Sequence, residues 1–186
     1  MKTICFLGHR QFHPRDLEKR LSSAIKENIS SDEDVLFLMG RHGDYDKLAL
    51  SVCRQIRKEY PRVKITVVFT SLAILRKPEE EMYSVADMYD DVDTMIYNIE
   101  EEYFKNQIVS SNKQMVDDSD IVICYIDFDK RQSGAKIAVK YAQKQNKKVI
   151  NLFKEQDRPF YGLTEEEKEI EIQRIKKELD RFTKKD

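Results

Sequence analysis

Short apolar runs rich in β-branched residues alternate along the chain with segments of helical period. Residues 3–7, 34–39, 63–69, 121–126 and 148–152 read as strands, and the unbroken run 121–126 has the length and β-branched content of a strand buried on both faces of a parallel sheet. Residues 94–97 read as a further short strand. Between the runs the apolar spacing becomes helical. Leu17, Leu21, Ala24 and Ile25 predict a helix over 16–28. Leu48, Ala49, Val52 and Ile56 predict a second, ending near Tyr60, where Pro61 stops it. Residues 101–117 predict a third. Ala135, Ala138, Val139 and Ala142 predict a fourth that opens at Ser133-Gly134. This alternation demands a mainly parallel sheet with right-handed crossovers and helices on both faces. The expectation is an α/β fold: a single Rossmann-like domain over 1–186, of five or six strands, with its core over about 1–152.

After a break at 158–162, Thr164 followed by Glu167 has the form of a capping box. A C-terminal helical extension over about 163–183 is predicted there. Its apolar face, Ile170, Ile172, Ile175, Leu179 and Phe182, is imperfect. This helix packs on the domain or pairs with another copy, so a homo-oligomer is one expectation. Residues 70–100 are acidic, with Met82, Tyr83, Met88 and Tyr89 among the charges. They read equally as a lid beside the strand ends and as ordinary surface.

Composition narrows the class. The chain has 186 residues, 40% hydrophobic and 36% charged, which fits one well-solvated globular domain. Its 33 Lys and Arg against 34 Asp and Glu give a net charge of -1, without the basic excess usual in nucleic-acid binders. On that ground nucleic acid is disfavoured as a partner. Cys5, Cys53 and Cys124 are odd in number and far apart, which argues against a disulfide framework and for buried thiols in a reducing compartment. No Cys/His cluster suggests a metal. No apolar run approaches the ~20 residues of a membrane span, and the N-terminal MKTICFLGHR starts a strand rather than a signal peptide. The expected location is the cytoplasm, with no membrane partner.

Candidate chemistry collects where strands end. Four of the five glycines, Gly8, Gly40, Gly43 and Gly134, follow predicted strands and precede predicted helices, where open α/β sheets bind ligands. At Ser133-Gly134-Ala135 a strand, a polar loop and a helix start would aim free N–H groups at an anion. Arg10 could clamp a phosphate or carboxylate, and His9 could donate to an oxygen or act as a base. His42 lies near the same rim, whereas His13, just before a proline, reads as structural. Asp46 could accept from ribose hydroxyls. Asp44 reads as the helix cap, and the 127–132 loop as solvated charge.

These pieces together resemble the SLOG superfamily, the Rossmann-like group that includes the LOG phosphoribohydrolases, YpsA-like proteins and the DprA core. The resemblance rests on the GHR after the first strand and Gly40-x-x-Gly43-x-x-Asp46 after the second. It continues with Asn112-Lys113, Met115 and Ser119-Asp120 before the strand at 121–126, and with Ser133-Gly134-Ala135, Ala138-Val139 and Tyr141-Ala142 after it. It covers about 1–152, with YpsA-like bacterial proteins nearest. It implies a ligand set of Gly8, His9, Arg10, Gly40, Gly43, Asp46, Asn112, Ser133, Gly134 and Ala135.

The departures bear on activity. LOG enzymes carry Arg-Lys where this chain has Ser111-Asn112, and a threonine and a glutamate where it has Ala135 and Ala138. The arginine and glutamate serve catalysis in that family. Without the glutamate, N-glycosidic cleavage lacks its acid-base or ion-stabilising group, while a phosphate cradle can persist. The expectation is binding or sensing of a nucleotide or nucleotide-derived phosphorylated small molecule, with no obligatory cofactor and no catalytic residue assigned. The alternatives are a diverged N-glycosidase and a DprA-like single-strand binder.

Overall fold

The structure is a computed structural model and describes residues 1–9, 14, 16–70, 89–97, 104–158 and 161–183. Of the expected features, Arg10, His13, most of the 70–100 section and the start of the helix predicted at 101 lie outside the described residues. The chain divides into two compact units, Met1–Phe153 and Lys154–Asp186.

The first unit is built on six parallel strands: β1 (Lys2–Gly8), β2 (Val35–Met39), β3 (Val63–Thr70), β4 (Asp93–Tyr97), β5 (Ile121–Tyr125) and β6 (Lys148–Asn151). Their order is β4-β3-β2-β1-β5-β6. The chain steps outward from β1 through β2 and β3 to β4, then returns to pair β5 on the other side of β1. The strand order therefore reverses between β1 and β5, and the C-terminal ends of those strands form the crevice characteristic of open parallel sheets.

The central strands are apolar because both faces are covered. In β1, Ile4 and Phe6 pack on one side with Phe37, Ile65 and Ile123. Cys5 and Leu7 pack on the other with Val122, Cys124 and Leu38. The first side is closed by α1 (Leu17–Lys26) and α2 (Asp44–Glu59), through Leu17, Leu21, Ile25, Tyr45, Ala49, Val52 and Ile56. The second is closed by α3 (Phe104–Asp117) and α4 (Gly134–Lys144), through Met115, Val116, Ala138, Val139 and Ala142. Alanine at 138 and 142 suits the close packing of α4 on the sheet.

β1 and β5 are also clipped at their starts. Thr3 N–H donates to Asp120 Oδ2 at 2.8 Å, and Asp120 N–H donates to Thr3 O at 2.8 Å. The position of Ser119-Asp120 ahead of β5 thus has a structural use at the edge opposite the crevice.

The second unit carries a short 3-10 turn, Glu155–Asp157, and α5, Glu165–Thr183. Gly162, at φ +79°, sits in the left-handed region that favours glycine. Thr164 and Glu167 form the expected reciprocal cap: Thr164 N–H donates to Glu167 Oε2 at 2.8 Å, and Glu167 N–H donates to Thr164 Oγ1 at 3.3 Å. Among the described residues no helix is long and apolar enough to cross a membrane.

Candidate functional site

Three loops meet at the C-terminal edge where the strand order reverses. They bound a cavity of about 220 Å³. Gly8 and His9 reach it from β1, Gly40, Gly43 and Asp46 from the β2–α2 turn, and Ser133, Gly134 and Ala135 from the start of α4. Asn112 reaches it from α3. Nine of the ten residues expected to hold ligand therefore surround one space; the tenth, Arg10, lies outside the described residues.

Each loop is held by its own sequence. Gly8 is dictated by Tyr45, whose side chain is fully buried on α2. A Cβ at position 8 would lie 2.3 Å from Tyr45 Cγ and 2.6 Å from its Cβ. Only glycine lets α2 lie this close to the end of β1. The ring is fixed by its hydroxyl, which donates to Ile123 O at 3.2 Å, and by stacking on Tyr125 with centroids 6.3 Å apart.

The β2–α2 turn closes around Asp46. Its Oδ2 accepts the N–H groups of His42 at 2.8 Å and Gly43 at 3.1 Å. A Cβ at Gly40 would stand 3.3 Å from that same oxygen. This corrects the assignment of the cap to Asp44. Asp44 is the first residue of α2, where it pairs with Lys47 at 3.6 Å, while Asp46 in the third position reaches back over the free N–H groups. Asp46 thus both caps the helix and lines the cavity.

At the start of α4, Ser133 is the N-cap, and its Oγ accepts the Lys136 N–H at 3.2 Å. Its hydroxyl hydrogen remains a donor. Gly134 and Ala135, the first two residues of α4, line the cavity, and the first N–H groups of a helix have no acceptor within it. Gly134 is not in the left-handed region. A Cβ there would meet Val109 and Ile108 at the ordinary distances of 3.5 and 3.6 Å. Its smallness keeps space open beside α3.

The β5–α4 loop is tied down by residues that sequence reasoning passed over or read differently. His9 Nε2 accepts the Asp127 N–H at 2.8 Å, so this ring nitrogen carries no proton and His9 joins the β1 and β5 loops as a scaffold. Asn151 brackets Ile126, its Oδ1 accepting the Ile126 N–H at 3.0 Å and its Nδ2 donating to Ile126 O at 2.8 Å. Lys136, 6% exposed, sends its ammonium group back to the carbonyls of Phe128 and Lys130. Its charge therefore organises the loop. In sequence Lys136 is an ordinary polar helix position, and nothing marks it as buried.

His42 and Leu7 also line the cavity, as does Ile108. Next to His42, the Arg41 guanidinium lies 4.8 Å from the centroid of the Phe69 ring. Ser111 is 4% exposed and Ala138 fully buried. The two positions that the resemblance sets against the LOG catalytic pair thus carry a buried hydroxyl and a buried methyl group. Among the described residues no three His, Cys, Asp or Glu side chains converge as a metal site.

The fold is similar to that of DNA processing protein A from Helicobacter pylori, solved for its unique single-stranded DNA binding mode. The TM-score is 0.50 at 15% identity, covering 80% of this chain and 63% of that one. This chain therefore spans less than two thirds of that protein. The likeness overturns the expectation that nucleic acid is disfavoured as a partner. That expectation rested on net charge, which averages over the whole surface, and the same fold serves single-stranded DNA binding in the Helicobacter pylori protein. No curated protein sequence matches the chain. The model described as the YspA SLOG family matches residues 5–157, and the chain belongs to that family.

Proposed function

We propose that the cavity at the strand-order reversal binds a phosphorylated small molecule, a nucleotide or nucleotide derivative. The observation that carries this reading is the convergence of the α4 N-terminus with the Asp46 turn on one cavity. Backbone N–H groups and the helix dipole at Gly134 and Ala135 favour an anion. Asp46, on the same cavity, offers an acceptor to sugar hydroxyls. A ligand with a phosphate at one end and hydroxyls beside it matches that pair of environments.

Binding without LOG-type cleavage is the form we favour. Ala138 is buried and has no ionisable group to assist departure of a base. The reading requires no obligatory cofactor. Three buried, unbridged thiols support a cytoplasmic setting.

A strand phosphate would suit the same N–H groups, so single-stranded DNA is the second ligand class, favoured by the shared fold. Calorimetry with a nucleoside monophosphate, its nucleoside and a short single-stranded oligonucleotide separates the readings. The proposal expects binding of the monophosphate and at least tenfold weaker binding of the nucleoside. Arg10→Ala is expected to weaken the monophosphate alone, by roughly ten- to hundredfold for one charge-assisted hydrogen bond. Salt-sensitive binding of the oligonucleotide with none of the monophosphate would establish the second reading instead. Release of free base from the monophosphate would overturn the non-catalytic form.

A further inference from the structure

The β2–α2 turn holds a cation that the phosphate cavity leaves unused. Arg41 lies between Gly40 and His42, both of which line that cavity. It is half-buried, and its guanidinium carbon stands over the face of the Phe69 ring, 4.8 Å from the centroid. Phe69, 5% exposed, is backed by Tyr89, whose ring meets it edge-on at 5.6 Å. Among the described residues the Arg41 guanidinium makes no ion pair or hydrogen bond, and its Nε is buried. Arg54 and Arg57, also half-buried, instead share the Asp91 carboxylate at 3.0 and 2.7 Å. A buried donor left without an acceptor is costly. Phe69 therefore holds a planar fork of donors in place beside the cavity, with its acceptor still to come.

Position and charge indicate what that acceptor is. The sheet order β3-β2-β1-β5 sets α4 toward one side of this edge and Phe69 toward the other, with the Asp46 turn between them. β2 and β3 are paired neighbours, about 4.8 Å apart. A ligand with its phosphate on the α4 N-terminus and its sugar at Asp46 carries its next group toward Arg41. Burial raises the Tyr89 hydroxyl, and Arg41 and then Asp46 act on it in opposite senses, so both charges of the turn bear on one place. The Asp46 carboxylate repels a second phosphate there, whereas a neutral base meets no such repulsion. A guanidinium offers donors only. Guanine and hypoxanthine present it with two adjacent acceptors, O6 and N7, while adenine sets an amino donor beside N7.

We propose that Arg41, laid on Phe69, is the base subsite of this cavity and reads the O6/N7 edge of a 6-oxopurine nucleotide. The subsite rests on the phosphate reading of the cavity and adds the identity of the base. Contact at O6 and N7 ignores the 2-position of the ring. Guanosine and inosine monophosphates are therefore equivalent ligands, and adenosine monophosphate is the poor one.

Calorimetry of the full chain with the 5′-monophosphates of guanosine, inosine and adenosine, and with ribose 5-phosphate, tests this. The guanosine and inosine nucleotides are expected to bind alike, each at least about tenfold tighter than the adenosine nucleotide, as for one bidentate base contact. Arg41→Ala is expected to remove the preference. Arg41→Lys, which keeps the charge and loses the fork, should remove most of it. Circular dichroism confirms that both variants stay folded. Equal affinities for the three nucleotides in the wild type, or a preference that survives Arg41→Ala, would overturn the subsite. Ribose 5-phosphate separates the two readings: its binding without any base preference overturns the base subsite alone. Binding of none of the four overturns the phosphate reading and the subsite with it.

Discussion

Replacing Gly8 with alanine tests how the site is held to the fold. The new methyl carbon would lie 2.3, 2.4 and 2.6 Å from Cγ, Cδ1 and Cβ of Tyr45. Rotating the ring does not relieve this, because the Tyr45 Cβ is fixed by the backbone of α2. Either the helix start moves away from β1 or the strand end bends. Overpacking of this kind costs about 1–3 kcal/mol. Displacing the ring also weakens the hydroxyl bond to Ile123 O, worth about 0.5–1.5 kcal/mol. We expect a loss of about 3 kcal/mol, a large share of the roughly 5–15 kcal/mol that stabilises a domain. Urea unfolding, followed by the near-ultraviolet signal of the packed tyrosines, measures it. Tyr45→Ala alone opens a cavity and is expected to cost about 3–5 kcal/mol, as for other large aromatic residues. Combined, the two changes should cost about 1 kcal/mol less than their sum, because Tyr45→Ala removes the contacts with Cγ and Cδ1, although the contact with the Cβ at position 45 remains. A Gly8→Ala variant within about 0.5 kcal/mol of wild type, or strict additivity in the pair, would refute the packing argument.

Other outcomes follow from single contacts. Asp46→Ala removes the acceptor for the His42 and Gly43 N–H groups and is expected to cost about 1–2 kcal/mol in urea unfolding, with Asp46→Asn recovering part of it. Burial pushes the Cys5 thiol up to about 12 and raises Cys53 and Cys124 as well, so a thiol reagent at pH 8 should label none of the three until the protein unfolds. Bonds from Arg54, and then from Arg57, hold the Asp91 carboxyl below its ordinary value of 3.8. Its contribution is therefore complete above that value and is lost as pH falls through the lower folded pKa. Asp91→Asn should be less stable than wild type at pH 7 by about 0.5–1 kcal/mol, as for exposed ion pairs, and the two should converge as pH drops below 3.8.

Much of the sheet was legible because a parallel sheet covered on both faces demands continuous apolar runs, and Thr3 to Leu7 and Ile121 to Ile126 supply them. Glycines beside strand ends located the crevice for the same reason: backbones converge there. The partners were not legible. Gly8 answers to Tyr45, and His9 to an N–H 118 residues away, and neither pairing leaves a local trace in sequence. Asp44 and Asp46 are indistinguishable by composition at a helix start, and the turn geometry chose the residue able to reach back. Lys136 reads as exposed until the loop carbonyls that receive its ammonium group are in place.

The most direct test of the central claim is an amide chemical-shift titration of the ¹⁵N-labelled full chain. The probes are ribose 5-phosphate, inorganic phosphate and ribose. The Gly134 and Ala135 amides are expected to move downfield and saturate with ribose 5-phosphate, and to move in the same direction with inorganic phosphate at higher concentration. Ribose alone should leave them in place, because the anion meets the helix N-terminus through its phosphate. Ribose 5-phosphate shifts confined to other residues, or equal responses to ribose 5-phosphate and ribose, would contradict the assignment of this cavity as a phosphate site.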